Sequence, residues 1–157
     1  MTCGLFHRVQ GAYQDALRLR LITLDIARRI YGDSHPETAA SMGNLARTYC
    51  DLGRYADAVP LGERALAVTE AALGPDHPGT ALRLGNLATT YPDLGRYADA
   101  VPLGERALTV TETSLGPGHP DTARRLGNLA ATYRAIGRDA DALPLEQRRQ
   151  RIDPVPE

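Results

Sequence analysis

The chain has 157 residues and a formal net charge of −1. This charge balance leaves no excess of positive charge that would attract nucleic acid or an anionic membrane surface. The sequence also lacks an apolar stretch of about 18 residues, the length needed to cross a membrane. Cys3 and Cys50 are the two cysteines and lack CxxC spacing, so a disulfide framework or a cysteine zinc site is not expected. The first ten residues lack a signal-peptide pattern. Together these observations predict a cytoplasmic protein.

The sequence repeats itself with a fixed period. The segment GRYADAVPLGERAL occurs at 53–66 and again, without a change, at 95–108. In gapless alignment, residues 53–94 match 95–136 at 32 of 42 positions, and residues 11–52 match 53–94 at 19 positions. Gapless matching over three units predicts a repeat architecture in which each unit packs against the next.

Helical periodicity predicts a leading helix and three helix pairs, with no strands, in one domain that spans 1–157. In residues 37–52, apolar side chains recur at i, i+3, i+4 and i+7 and form one stripe. The next helix, which ends at residue 73, has a broader apolar face. A face of this width is buried only if it packs against two neighbouring helices. The predicted segments are a leading helix at 12–31, repeats at 37–73, 79–115 and 121–152, and a tail at 153–157.

The links between the pairs carry helix start and stop signals. Gly74 suits the end of one helix, and Pro78 suits the first turn of the next, where a missing N–H costs nothing. Ser34 and Glu37 have the spacing of a capping box. Three prolines in the second helices are expected to bend those helices without breaking them: Pro60, Pro102 and Pro144.

Each link also holds a histidine before its proline. Histidines one repeat apart would lie on helices about 8–10 Å apart, which is too far for them to share a metal ion. They are therefore interpreted as turn and cap residues, and no metal or cofactor is expected. The three histidines are His35, His77 and His119.

Asn-Leu-Ala in the first helix and Gly-Arg-Tyr before the second resemble the tetratricopeptide repeat (TPR), and the 42-residue period with the loop LGPDHPGT is similar to the kinesin light chain type. The resemblance covers about residues 11–152. It implies a right-handed superhelical α-solenoid whose concave face, lined by the first helix of each repeat, holds peptides or partner proteins. The chain departs from the family at Gly43, Gly85 and Gly127, where family members often have asparagine. No sustained heptads match the coiled coil of kinesin light chains, so motor transport is not implied.

The face opposite the apolar stripe of each first helix carries the candidate binding residues. A side-chain amide offers two donors and an acceptor. The resemblance implies that one asparagine per repeat clamps an extended peptide backbone, and a hydrogen bond between helices is the alternative. Asn86, in the middle repeat, is expected to be the most sensitive position. The candidate residues are Asn44, Asn86 and Asn128, with Arg47, Arg124 and Arg134 giving a mild preference for acidic segments.

The sequence contains no GxSxG, GxxxxGK[ST], GxGxxG or HExxH motif, so catalysis is not expected. It predicts a non-catalytic scaffold that binds proteins or peptides, but neither nucleic acid nor membranes. Two alternatives stay open: a self-assembling spacer solenoid, and the sensor segment of a larger signalling ATPase.

The two ends of the chain differ in their patterns. In the last helix Arg149 and Gln150 stand where earlier repeats have alanine and leucine, which is typical of a polar cap. Residues 1–10 do not resemble residues 43–52, so the leading helix lacks a matched partner. Its apolar side is expected to drive association, with a homo-oligomer through this end as one outcome. The apolar residues are Leu17, Leu19, Leu21, Ile22, Leu24, Ile26 and Ile30.

Overall fold

The computed structural model describes the backbone of residues 3–153 and the side chains of residues 13–153. Within this range the chain forms seven α-helices and no strand, which confirms the predicted all-α fold of paired helices. None of these helices is long and apolar enough to cross a membrane. The helices are α1 (Cys3–Tyr31), α2 (Pro36–Asp51), α3 (Tyr55–Leu73), α4 (Pro78–Thr90), α5 (Tyr97–Leu115), α6 (Pro120–Ala135) and α7 (Asp139–Ile152).

The helices fall into two compact units. The N-terminal unit ends at Ala72 and contains α1, α2 and nearly all of α3; the C-terminal unit begins at Leu73 and contains α4 to α7. A 3-10 helix at Pro92–Leu94 follows α4, because Pro92 has no N–H to continue the α-helical ladder. Of the predicted tail at 153–157, only Asp153 lies within the described residues.

The first helix is longer than the sequence predicts. It begins at Cys3, whereas the leading helix is predicted from residue 12. The glycine that ends a helix in later repeats takes a left-handed backbone, with φ of 69° at Gly53 and 71° at Gly95, but its equivalent Gly11 lies inside α1. Residues 3–11 therefore continue α1 and form no separate first helix.

The apolar residues of α1 divide between two faces. Leu17 and Leu24 are 7% and 4% exposed and pack in the core of the N-terminal unit, so the prediction that they belong to an exposed apolar side is wrong. They share that core with Met42 and Leu45 of the predicted stripe. The opposite stripe of α1 is exposed, at i, i+3, i+7 and i+11: Leu19, Ile22, Ile26 and Ile30.

The core of the C-terminal unit joins α5, α6 and α7. Leu126 of α6 is fully buried, and Leu129 and Tyr133 lie one and two turns further along the same face. Val101 and Leu108 of α5 pack against them from one side. Ala142 of α7, also fully buried, closes the cluster.

In each link between helix pairs, a histidine and a threonine make hydrogen bonds that stabilise the start of the next helix. The Nδ1 atom of His35 accepts a hydrogen bond from the backbone N–H of Glu37 at 3.1 Å, so His35 is the N-cap of α2 and the predicted capping box of Ser34 with Glu37 is wrong. His35 lies one residue nearer the start of the helix than Ser34, and its imidazole accepts the N–H that a capping residue would accept. The hydroxyl of Thr38 donates to the Gly32 carbonyl at 2.7 Å, which fastens the link to the helix it opens. His77 and His119 cap α4 and α6 in the same way, as predicted.

Prolines inside α3, α5 and α7 do not interrupt them, as predicted. Pro60, Pro102 and Pro144 are each exposed and each lies inside a continuous helix. A proline on the solvent face leaves its unpaired carbonyl open to water, which lowers the cost of the missing hydrogen bond.

An identical clip joins the two helices of every pair. In the second pair the Arg96 guanidinium lies 4.3 Å from the centre of the Tyr91 ring, and its Nε atom lies 2.7 Å from a carboxylate oxygen of Asp99. Arg54 and Arg138 make the same two contacts one repeat before and one repeat after. The arginine of the Gly-Arg sequence thus holds the end of one helix to the start of the next.

Replacing Arg96 by alanine is expected to lower the free energy of unfolding by about 1 kcal/mol. The variant loses a cation–π contact and a half-exposed ion pair, each worth up to about 1 kcal/mol at such a site. Urea unfolding followed by circular dichroism measures the difference. Arg151→Ala on the exposed face of α7 is the matched control, and an equal effect in both variants would show that the clip adds nothing.

Candidate functional site

The N-terminal unit presents its two predicted site residues on the open face of α2. The side chains of Asn44 and Arg47 are both exposed, three residues apart, so they share one face. Neither side chain has a hydrogen bond or ion pair with any described residue. The backbone carbonyl of Asn44 accepts a hydrogen bond from Thr48 at 3.1 Å. Both polar groups are therefore available to a partner.

The C-terminal unit holds the other two asparagines, Asn86 on α4 and Asn128 on α6. Both are half-buried, and neither side-chain amide makes a hydrogen bond to a described residue. Their backbone carbonyls accept from threonines one turn later, Thr90 at 2.8 Å and Thr132 at 3.0 Å. The alternative role for these amides, a hydrogen bond between helices, is thus not seen among the described residues.

Two clefts flank Asn128. The larger has a volume of about 700 Å³, lies between α6 and α7, and is also lined by Arg124 and Arg134. The smaller has a volume of about 300 Å³ and lies between α6, the end of α4 and the start of α5. Asn128 and Ala131 line both clefts. The structure therefore brings three predicted site residues of this unit together and makes Asn128 the central one.

The two arginines of the larger cleft are already paired. The Arg134 guanidinium makes two hydrogen bonds of 2.6 Å to the Glu146 carboxylate of α7, and this contact lowers the pKa of Glu146 and raises that of Arg134. Arg124 donates to Asp121 at 2.7 Å, which lowers the pKa of that carboxyl. These carboxylates compensate the positive charge that the sequence assigned to the face.

Arg149 of α7 also lines the larger cleft, and it has no hydrogen bond or ion pair with any described residue. Its aliphatic part covers Gly127, where an added Cβ would lie 3.0 Å from its Cδ atom. From the sequence, Arg149 is expected only to belong to a polar cap. Its place beside Asn128 could not be read from the sequence, because it depends on how α7 packs on α6.

Arg125 is the residue that sequence analysis missed. It is 5% exposed, and its guanidinium covers Gly85, where an added Cβ would lie 1.5 Å from the terminal nitrogen Nη1. Burial and, to a smaller extent, the charge of neighbouring Arg124 together lower the pKa of Arg125 to about 10. A side chain at position 85 would therefore overlap the space that the Arg125 guanidinium occupies.

The described residues hold no cluster of three histidine, cysteine or acidic side chains that could bind a metal ion. Cys50 is half-buried on α2 and forms no disulfide bond. Tyr133 donates a hydrogen bond to Glu105, and burial raises the pKa of its hydroxyl to about 12.

Comparison with known families gives three overlapping matches. The family model described as tetratricopeptide repeat matches residues 3–71, 44–113 and 84–154, which together span nearly the whole chain. No curated protein is similar enough to count as a match.

Solved structures with the same arrangement include proteins of the kinesin light chain type. A Podosopora anserina protein assigned as a kinesin light chain, with nearly identical TPR-like repeats, is 28% identical with a TM-score of 0.83 over 93% of this chain and 69% of its own. BtubC (BKLC) from P. vanneervenii is 23% identical with a TM-score of 0.82, over 94% and 61% of the two chains. MamA is 16% identical with a TM-score of 0.68, over 98% and 76%. The last two likenesses concern the fold alone.

Proposed function

Because the chain belongs to the tetratricopeptide repeat family, we propose that it is a non-catalytic scaffold that holds a partner protein by an extended segment of its chain. The segment lies in the clefts on either side of Asn128. The observation that carries this proposal is the unpaired amide of Asn128, half-buried where the two clefts meet. An amide in such a place pairs with the N–H and C=O groups of any peptide backbone. The proposal includes a cytoplasmic location, in keeping with a Cys50 that forms no disulfide bond.

A mild preference for acidic segments is part of the proposal. A carboxylate that entered the larger cleft would meet the unpaired Arg149, while Arg124 and Arg134 already have carboxylate partners. In the N-terminal unit the exposed Arg47 offers a second unpaired charge. Surface ion pairs contribute little affinity, so the backbone contacts carry most of the binding.

Replacing Asn128 by alanine is expected to weaken binding of a selected peptide roughly 5- to 50-fold, because one or two hydrogen bonds are lost and peptide groups stay unpaired. The peptide is obtained by selecting a displayed random library against the whole protein, and affinity is measured by calorimetric titration. Asn86→Ala, which sequence analysis expects to be most sensitive, is titrated in parallel. Thr109→Ala on the exposed face of α5 is the control, and thermal melts confirm that every variant folds.

Unchanged affinity in both asparagine variants, with unchanged melts, would mean that these amides do not contact the peptide. A weakening confined to Asn86→Ala would place the peptide along α4 and not beside Asn128.

The exposed stripe of α1 supports the alternative of self-association. Leu19, Ile22, Ile26 and Ile30 are between 49% and 66% exposed and form a continuous aliphatic surface. Light scattering at micromolar concentration is expected to give a dimer or a larger species. Ile22→Glu with Ile26→Glu should give the monomer, since two buried unpaired carboxylates are costly. A wild-type monomer would remove the spacer function and leave the binding function untouched.

A further inference from the structure

We propose that the exposed stripe of α1 packs against the same stripe of a second copy of this chain in the antiparallel direction, with the two helices crossing at Ile22. The inference rests on the self-association proposed above and not on peptide binding. It adds the direction of the contact, the residues that meet in it and the charges that fix both.

Four charged side chains follow one edge of the aliphatic stripe. A helix turns about 100° per residue, so they share an arc of about 80° that adjoins the stripe. All four are exposed, and they alternate in sign along the helix: Asp15, Arg18, Asp25 and Arg29. Asp25 pairs with Arg29 at 2.9 Å on the surface, whereas Asp15 and Arg18 have no ion pair with any described residue. The edge therefore offers one free acid and one free base to a partner.

This order of charges is complementary to its own reverse. A twofold axis between two antiparallel helices brings the same edge of both together, so that residue i meets residue j and j meets i. Asp15 then lies opposite Arg29 of the second copy, and Arg18 lies opposite Asp25 of the second copy. Both pairs have their midpoint within one residue of Ile22. One crossing point therefore satisfies both pairs, and the twofold axis repeats each of them.

The aliphatic contacts require the same crossing point. With the helices crossing at Ile22, this residue packs on its equivalent, and Leu19 packs on Ile26 of the second copy. The midpoint of that pair also lies within one residue of Ile22, a displacement of at most about 1.5 Å along the helix. A contact between two single helix faces is small, so a dissociation constant in the micromolar range is expected.

The other edge of the stripe disfavours a parallel pair. Two parallel helices related by a twofold axis place each charged edge against the opposite edge of the neighbour. Among the described residues of α1 that edge exposes Thr23 and Arg20 and carries no acid, so Arg18 would approach a second base. Charges beside an apolar seam fix the direction of a helix pair in this way.

The test mixes two charge-reversal variants, Asp15→Arg and Arg29→Asp. Each variant alone opposes like charges at two places in its dimer, which should be roughly tenfold weaker than the wild-type dimer, or weaker still. Mixed in equal amounts, the two variants restore opposite charges at both places and should form a heterodimer of about wild-type affinity. Sedimentation equilibrium, with one variant carrying a fluorescent label, measures all these affinities, and circular dichroism confirms that every variant is folded.

Arg20→Asp is the matched control, because it reverses the same charge on the other edge of α1. Alone it should dimerise like the wild type. Mixed with Asp15→Arg it gives the same net charges as Arg29→Asp but leaves two bases opposed, so this heterodimer should be roughly 3- to 10-fold weaker.

Equal affinity of the two heterodimers, or a heterodimer of Asp15→Arg with Arg29→Asp no tighter than their homodimers, would overturn the antiparallel contact and leave self-association standing. A wild-type monomer at micromolar concentration would overturn both. Neither outcome bears on the peptide titration of Asn128→Ala, so failure of this inference and failure of the binding function are told apart.

Discussion

Replacing Gly85 by alanine is expected to destabilise the protein when Arg125 is present and to stabilise it when Arg125 is replaced by alanine. The added Cβ would lie 1.5 Å from Nη1 and 2.2 Å from Cζ of Arg125, so the guanidinium must leave its place. Overpacking of this kind typically costs about 1–3 kcal/mol. Without the arginine the space is free, and alanine should gain about 1 kcal/mol over glycine inside a helix.

Urea unfolding of the wild type, the two single variants and the double variant measures this change of sign. Gly127→Ala is the matched control one repeat later, because its Cβ would lie 3.0 Å from the more exposed side chain of Arg149. We expect Gly127→Ala to be neutral or stabilising. If Gly85→Ala stabilises the protein in both backgrounds, Arg125 moves aside without cost and does not fix the packing of α6 on α4.

Replacing Leu126 by alanine is expected to cost about 2–5 kcal/mol, the usual range for a buried leucine. Leu126 is fully buried and packs with Leu129, Tyr133 and Val101 in the core of the C-terminal unit. The side-chain atoms removed from Leu126 leave a cavity bounded by three helices. These helices cannot all move inward to fill it. The free energy of unfolding from urea titration gives the cost.

Leu143→Ala is the control for this change, because Leu143 lies on α7 and is 52% exposed. Its effect should stay within about 0.5 kcal/mol. A loss below about 1 kcal/mol for Leu126→Ala would contradict the assignment of the core to this cluster.

The helices could be predicted because their signals are local. The apolar stripe of α2, the glycine at the end of each first helix and the proline at the start of the next depend on neighbours within a few residues. The sequence could not show that Gly11 lies inside a helix, because glycine is allowed in both conformations and nothing nearby decides. The sequence favours Ser34 as the cap of α2, because serine is the commoner N-cap residue. In the structure His35, one position later, is the N-cap.

The candidate site was harder to predict because its charges pair across the fold. Arg124 and Asp121 are three residues apart on one helix, so that pair could have been found from spacing. The pair of Arg134 with Glu146 joins two helices and follows only from their packing. In the sequence, Gly85 stands out as a departure from the resembled family, whose members often have asparagine there. The side chain that fills the space beside Gly85 belongs to Arg125, which lies about one repeat further along the chain.

The proposed binding surface is tested most directly by photo-crosslinking in the source cell. A photoreactive amino acid is placed at Ala131, which is exposed and lines both clefts beside Asn128, and in a second protein at Thr109, which is exposed on α5 outside them. The account predicts a discrete crosslinked partner from position 131 that is lost when Asn128 is replaced by alanine, and none from position 109. Equal crosslinking from both positions, or none from position 131, would contradict it.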